Sequence, residues 1–199
     1  ASGDVIARDI TIRNRADLGV VLMYVDGMVN QKIINDNVLR PLSASKWFDN
    51  CPNLSHAYQL CIRGALDVAL VKPADCADEA VESMLAGKTL LMFDSLERAL
   101  ILDTIGFEKR GIMISSEEEV FRSGKDSFVE TLRVNTAILR RRIRSRHLAI
   151  EETVVGRQTR TRVCVAYMGN ICNDEFVSRV RSAIGRIDQD KALSIRDIY

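Results

Sequence analysis

One stretch limits the folds open to this chain more than any other: residues 124–144, GKDSFVETLRVNTAILRRRIR. Its apolar spacing predicts one long helix. Ser127 or Asp126 can cap the start, with Glu130 three residues beyond Ser127 as a capping box requires. Arg140, Arg141, Arg142 and Arg144 crowd the end, where cations oppose the helix dipole. At about 100° per residue, Phe128, Leu132, Leu139 and Ile143 fall on one stripe, with Asn135 and Thr136 at its edges. Val134 and Ile138 fall on the opposite side, and Arg133, Arg140 and Arg144 form a third stripe. Arg141 points outward with Val134, while Arg140 and Arg142 flank the main apolar stripe. Two apolar sides demand two contacts. The amide of Asn135 must find partners, and the Val134–Ile138 side is expected to meet another lobe or another subunit. The plainer reading is two singly exposed apolar side chains.

The rest of the chain alternates element types. Residues 5–13 and 18–25 read as strands followed by an Asp26–Gly27 turn. Residues 30–39 read as a helix that Pro41 ends. Residues 43–65 suggest short packed helices around Cys51 and Pro52, and residues 67–71 a short strand. A helix over 78–85 closes at Gly87. Strands at 89–94 and 99–104 form a hairpin, and strands at 148–155 and 161–168 form another around Gly156 and Arg157. A last helix over 174–187 turns Phe176, Val177, Val180 and Ile184 inward. The polar run 106–124 is the best seam. The expectation is therefore an α/β fold, mixed α+β in character, of two small subdomains, each a mixed sheet packed by helices. Residues 1–114 form the first and residues 115–199 the second, which carries the basic helix, a hairpin and the C-terminal helix.

At 199 residues and 47% hydrophobic content the chain can bury a core. A net charge of +1 leaves no global pull toward polyanions, so any such affinity must be local. Five cysteines (Cys51, Cys61, Cys76, Cys164 and Cys172) without C-x-x-C spacing read as reduced thiols, neither disulfide framework nor metal site. No apolar run approaches the roughly 20 residues of a membrane span, and no signal peptide opens the sequence. Both ends read as cut from a longer protein.

Catalytic signatures are missing: the sequence holds no Walker loop, dinucleotide fingerprint, zincin motif or nucleophile elbow. Gly124-Lys125-Asp126-Ser127 lacks the glycines of a phosphate cradle and reads as ordinary capping. His56 and His147 neighbour no nucleophile or ligand cluster, and Asp94 and Asp103 fit strand-end and turn chemistry better than an acid pair. No catalytic residue, cofactor or metal is expected. The arginines at 133, 140–142, 144, 146, 157, 160 and 162 make the second half locally basic. A solvated helix face and an interface with an acidic partner surface are the leading readings. Nucleic acid is disfavoured, because no aromatic set is interleaved.

Several motifs together resemble the N-terminal soluble domain of the spore germinant receptor A-subunit family (GerA-type). They are residues 4–9 (DVIARD), 24–29 (YVDGMV), 34–42 (INDNVLRPL), 87–91 (GKTLL), 99–104 (ALILDT), the basic helix from Arg122 to Ile143, and the hairpin at 155–167. Residues 43–66 depart most from the family pattern. The resemblance implies a non-enzymatic receptor subunit on the cytosolic (core) side of the spore inner membrane. It implies a C-terminal membrane domain absent here, and partners that include other A subunits, transporter-like B subunits and lipoprotein C subunits of an ion-channel receptor. A fold of two α/β subdomains with some likeness to solute-binding proteins also follows, and with it the alternative of a small-molecule germinant bound between the lobes. A paralogous spore membrane protein of the same family is the other alternative. On the first reading, Arg133, Val134, Asn135, Ile138, Arg140, Arg141, Arg142 and Arg144 form an interface that joins subunits and transmits the germination signal.

Overall fold

The computed structural model describes residues 2–106, 128 and 130–187. It is of the expected α/β class, built from a five-stranded sheet, a two-stranded sheet and helices. All strand pairings among the described residues are antiparallel. The chain divides into a larger unit, Val5–Arg144, and a smaller one that joins residues up to Asp4 with those from Ser145 on. The division differs from the boundary expected at 114/115. The basic helix belongs to the larger unit, because Ala137 is part of that unit's core.

In the larger unit, strands β1 (Val5–Thr11), β2 (Gly19–Val25), β3 (Val71–Pro73), β4 (Thr89–Phe93) and β5 (Ala99–Leu102) lie in the order β1-β2-β4-β5-β3. Side chains alternate across the sheet with period two. Val20, Leu22, Leu91, Phe93, Leu100 and Leu102 join one core cluster. Val25, Leu90 and Ile101 join the other. The register agrees: Leu91 faces Leu100 and Leu90 faces Ile101 across the β4–β5 pair. Both faces are therefore covered, which is why Leu90 and Leu91 are apolar in succession.

The first cluster is filled from residues 31–65. These form α1 (Gln31–Ile33), a π-helical stretch Ile34–Leu39, α2 (Arg40–Ala44), a short turn Lys46–Phe48, α3 (Leu54–Leu60) and a second π-helical stretch Cys61–Ala65. Cys51 and Cys61 lie inside this cluster, and burial pushes the Cys61 thiol up to about 12, so it is an inert core group. The second cluster is filled by α4 (Ala77–Leu85) and α5 (Leu132–Arg142).

Pro41 does not stop its helix, as the sequence suggested; the helix runs on to Ala44. Proline has no N–H to offer the carbonyl four residues back, that of Asn37. That carbonyl instead accepts from the Asp67 N–H at 3.1 Å, and Asn37 Nδ2 donates to the Asp67 carbonyl at 2.6 Å. The lost helix bond becomes a tie between segments 30 residues apart. Two further boundaries shift. The short strand expected at 67–71 starts at Val71, and the first strand gives way to a tight turn at Ile12–Asn14 with Arg13 at φ 54°.

The smaller unit is the hairpin β6 (Leu148–Val155) and β7 (Thr161–Met168) with α6 (Asp174–Gly185). Residues 2 and 3 join β6 here: the Ile150 carbonyl accepts from the Gly3 N–H at 2.7 Å, and the Ile150 N–H donates to the Ser2 hydroxyl at 2.8 Å. Glu151 on β6 accepts from Tyr167 on β7 at 2.6 Å and from Arg181 Nε on α6 at 2.7 Å. These donors hold the Glu151 carboxyl far below the usual carboxylate range, to about 2. On α6, Val177 is buried while Phe176 is 58% exposed, so Phe176 does not face inward as expected.

Candidate interface helix and its seat

Helix α5 rests on the turn that follows β2. Val25 to Met28 make a β-turn closed by the Met28 N–H on the Val25 carbonyl at 3.2 Å. Its third residue, Gly27, has φ +79°, which only glycine adopts without cost. A Cβ at Gly27 would lie 3.1 Å from both the Ala137 Cβ and the Arg133 carbonyl oxygen. The turn and the helix therefore touch through the missing side chain on one side and a methyl group on the other. Asp26 completes the seat: its Oδ1 accepts from the Gly27 N–H at 3.0 Å and lies 3.5 Å from Arg133 Nε.

The segment after the turn is fixed to the strand-end beyond β5. The Asn30 N–H donates to the Thr104 carbonyl at 2.8 Å and the Gly106 N–H to the Met28 carbonyl at 3.2 Å. Val29 and Ile105 form an isolated bridge. A Cβ at Gly106 would stand 2.3 Å from the Asn30 Cβ, so no other residue fits there. Beneath this crossing the hydroxyls of Thr89 and Thr104 share a fully buried hydrogen bond at 2.6 Å.

The helix that sits here is shorter than its periodicity suggested, and it is turned. It begins after Thr131, whose side chain makes no capping bond. Asp126, Ser127 and the glycine-lysine pair before them lie outside the described residues, as does most of the seam expected at 106–124. Phe128 precedes the helix and is 64% exposed, and Ile143 is its exposed C-cap. The long apolar stripe thus loses both its ends. The buried residues are instead Thr136, Ala137, Ile138 and Arg140, and the small Ala137 is the one that meets the Gly27 turn.

Each predicted site residue has a definite place. Ile138, expected on the outer side, is 5% exposed, and Arg140 is 2% exposed. Arg133, Val134, Asn135 and Arg141 are half-buried, while Arg142 and Arg144 are exposed. Arg133, Asn135, Arg140, Arg141 and Arg142 all make further polar or electrostatic contacts. One helix therefore carries a buried guanidinium at Arg140 and, two residues on, a solvent-facing one at Arg142. The periodicity puts Arg140 on one stripe with Arg144 and beside the apolar stripe with Arg142; packing buries the first and leaves the other two exposed. The Asp26–Gly27 seat was legible only as a turn.

Asp94 and Ser95 form the tight turn after β4, with Ser95 at φ 60°, and the Asp94 N–H bonds the Gly19 carbonyl at 3.0 Å. Asp103 extends the strand pairing through its N–H on the Leu70 carbonyl. His56 sits in the first turn of α3, capped by Asn53, and His147 lies exposed in the turn before β6. Among the described residues no group of His, Cys, Asp and Glu could hold a metal ion, and no helix is long and apolar enough to cross a membrane.

The whole chain, residues 1–199, matches the Bacillus/Clostridium GerA spore germination protein family. It is 28% identical to Spore germination protein KA of Bacillus subtilis over 193 residues, 97% of this chain and 35% of that protein. It is 30% identical to Stage V sporulation protein AF of Bacillus subtilis over 189 residues, 95% of this chain and 37% of that protein. The chain thus spans about a third of the length of these relatives. In three dimensions it is similar to the crystal structure of the N-terminal domain of the A subunit of the Bacillus megaterium spore germinant receptor GerK3. The TM-score is 0.75 at 27% identity, covering 94% of this chain and 66% of that one.

Proposed function

The chain belongs to the GerA spore germination family, and from that premise we propose that this germinant receptor A-subunit N-terminal domain works in receptor assembly and relays the nutrient signal to a membrane channel. The observation that carries this reading is the position of α5. It is the last helix of the larger unit, and the chain passes into the smaller unit directly after its exposed basic end, at Arg144. Helix α5 is seated through Gly27 and Asp26, and exposed Arg142 and Arg144 give its basic end a charge that complements an acidic partner surface. Half-buried Val134 and Arg141 are the further contact residues of this reading. The partners it implies are other A subunits and the receptor's B and C subunits, at the spore inner membrane with this domain on the cytosolic side. The role is mechanical and electrostatic, without catalysis.

The test is charge reversal in the full-length receptor. Arg142→Glu with Arg144→Glu should weaken subunit co-purification and slow nutrient-triggered germination, while leaving the fold of this domain intact. Unchanged assembly together with unchanged germination overturns the reading.

A further inference from the structure

Helix α6 of the smaller unit is apolar over more of its circumference than the hairpin covers. At about 100° per residue, Ala183, Phe176, Val180, Ile184 and Val177 follow one another around an arc of about 120°. The hairpin takes one edge of that arc. Val177 is buried there, and just beyond it Arg181 Nε donates to Glu151 at 2.7 Å and Arg181 Nη2 to the Tyr167 hydroxyl at 3.0 Å. Toward the other edge the arc opens to water. Val180 and Ile184 are half-buried, and Phe176 and Ala183 are exposed. A hollow of about 540 Å³ runs along this outer side.

Charge borders the open edge. Arg179 and Arg186 stand two turns apart on one stripe beside Ala183 and Phe176, and both line the hollow. Both are exposed, and neither has a hydrogen-bond or ion-pair partner among the described residues. Glu175 is the one acid among the described lining residues, and it lies in the first turn, where it complements the helix dipole. The Glu151 carboxylate is already matched by Arg181. The open side of α6 therefore pairs an apolar strip with two guanidiniums whose charge is not matched.

From these features we infer that α6 lies against an anionic phospholipid surface. Phe176 and Val180 enter the boundary of the acyl layer, and Arg179 and Arg186 reach the headgroup phosphates from the flank, their stems lying along the apolar strip. Two other occupants fit less well. A second copy finds too little surface: one whole Phe side chain buries about 150–250 Å², so this strip offers a few hundred Å² at most, whereas a stable pair of subunits buries about 1,200–2,000 Å². A nucleic acid would use the arginines and leave the apolar strip wet. A bilayer uses both, in a shallow and reversible contact. The inference rests on α6 alone and is independent of the role given to α5.

The test is sedimentation of the 199-residue chain with vesicles of pure phosphatidylcholine and of phosphatidylcholine mixed with phosphatidylglycerol. The expected result is binding to the anionic vesicles alone. Binding should be at least tenfold (order of magnitude) weaker in Arg179→Gln with Arg186→Gln, and again in Phe176→Ser. It should be unchanged in Arg8→Gln with Arg63→Gln, which removes two exposed charges from the larger unit. All these variants change exposed side chains, and circular dichroism verifies that they fold. The inference is overturned by no binding up to about 10 mM lipid, by equal binding to pure phosphatidylcholine, by folded α6 variants that bind as the wild type does, or by an equal loss in the Arg8 and Arg63 variant. Displacement by inorganic phosphate at constant ionic strength would give the arginines to a free anion and overturn it too. So would a monomer–dimer equilibrium in sedimentation velocity that Phe176→Ser abolishes, which would give the strip to a second copy.

Discussion

Gly27 and Ala137 meet across a gap that a single added methyl group would close: a Cβ on Gly27 would stand 3.1 Å from the Cβ of Ala137. The contact joins the turn after β2 to α5, and it sets how closely the basic helix lies on its sheet.

Gly27→Ala should therefore destabilise the larger unit. The left-handed backbone alone costs an L-residue about 1–2 kcal/mol, and crowding against Ala137 and the Arg133 carbonyl adds to it. Urea unfolding measures the loss. Adding Ala137→Gly to Gly27→Ala should return only the part due to the Ala137 methyl, so a double-mutant cycle isolates that contact from backbone strain and the Arg133 carbonyl.

The buried Thr89–Thr104 pair predicts a reversal. Thr89→Val leaves the Thr104 hydroxyl without its partner in a dry site and should cost about 1–3 kcal/mol. Replacing both threonines by valine removes the orphan and should recover most of that loss. Chemical denaturation of the two variants decides, and a double variant no better than the single one would count against the hydroxyl pair as the cause.

The smaller unit should be acid-sensitive through Glu151. Its carboxyl is depressed to about 2 by Arg181 first and Tyr167 second. A depressed acid stabilises the fold above its unfolded pKa, near 4.5, and loses that contribution as pH falls toward 2. Wild type should exceed Glu151→Gln in thermal stability at pH 7, and the difference should shrink between pH 5 and pH 2. The pair is largely solvent-accessible, so the effect is modest.

Helix α6 offers a paired comparison of neighbours. Val177→Ala removes buried carbon and should cost about 2 kcal/mol. Phe176→Ser alters a side chain that is mostly in water and should change stability by less than about 0.5 kcal/mol. Thermal unfolding of the two variants ranks them; a larger loss at Phe176 would show that its ring is covered in solution.

The parts that were legible in the sequence are those where local pattern and burial coincide. Leu90, Leu91, Leu100 and Ile101 announce central strands because both sheet faces are covered. Hairpin β6–β7 is equally plain, with Gly156 at its turn. The orientation of α5 was not, since periodicity weights Phe128 and Ile143 heavily and Ala137 hardly at all. Close approach to Gly27 selects the small residue, and no hydrophobicity scale carries that preference. Pro41 misled for a related reason: the usual helix stop assumes an abandoned carbonyl, and Asp67, far along the chain, supplies the missing donor. Of the candidate site, the charge was visible but its division between buried Arg140 and exposed Arg142 was not, because only tertiary packing makes it.

The bonds from Ser2 and Gly3 to Ile150 also impose an order on biosynthesis. Ser2 leaves the ribosome well before its partner, which is made 148 positions later. At ~5–20 residues per second, it waits roughly 7–30 s for that partner. The larger unit lies wholly between them and can fold in that interval. The smaller unit closes after the larger one, around residues made before it, and loss of Ser2 and Gly3 would be felt at that later step.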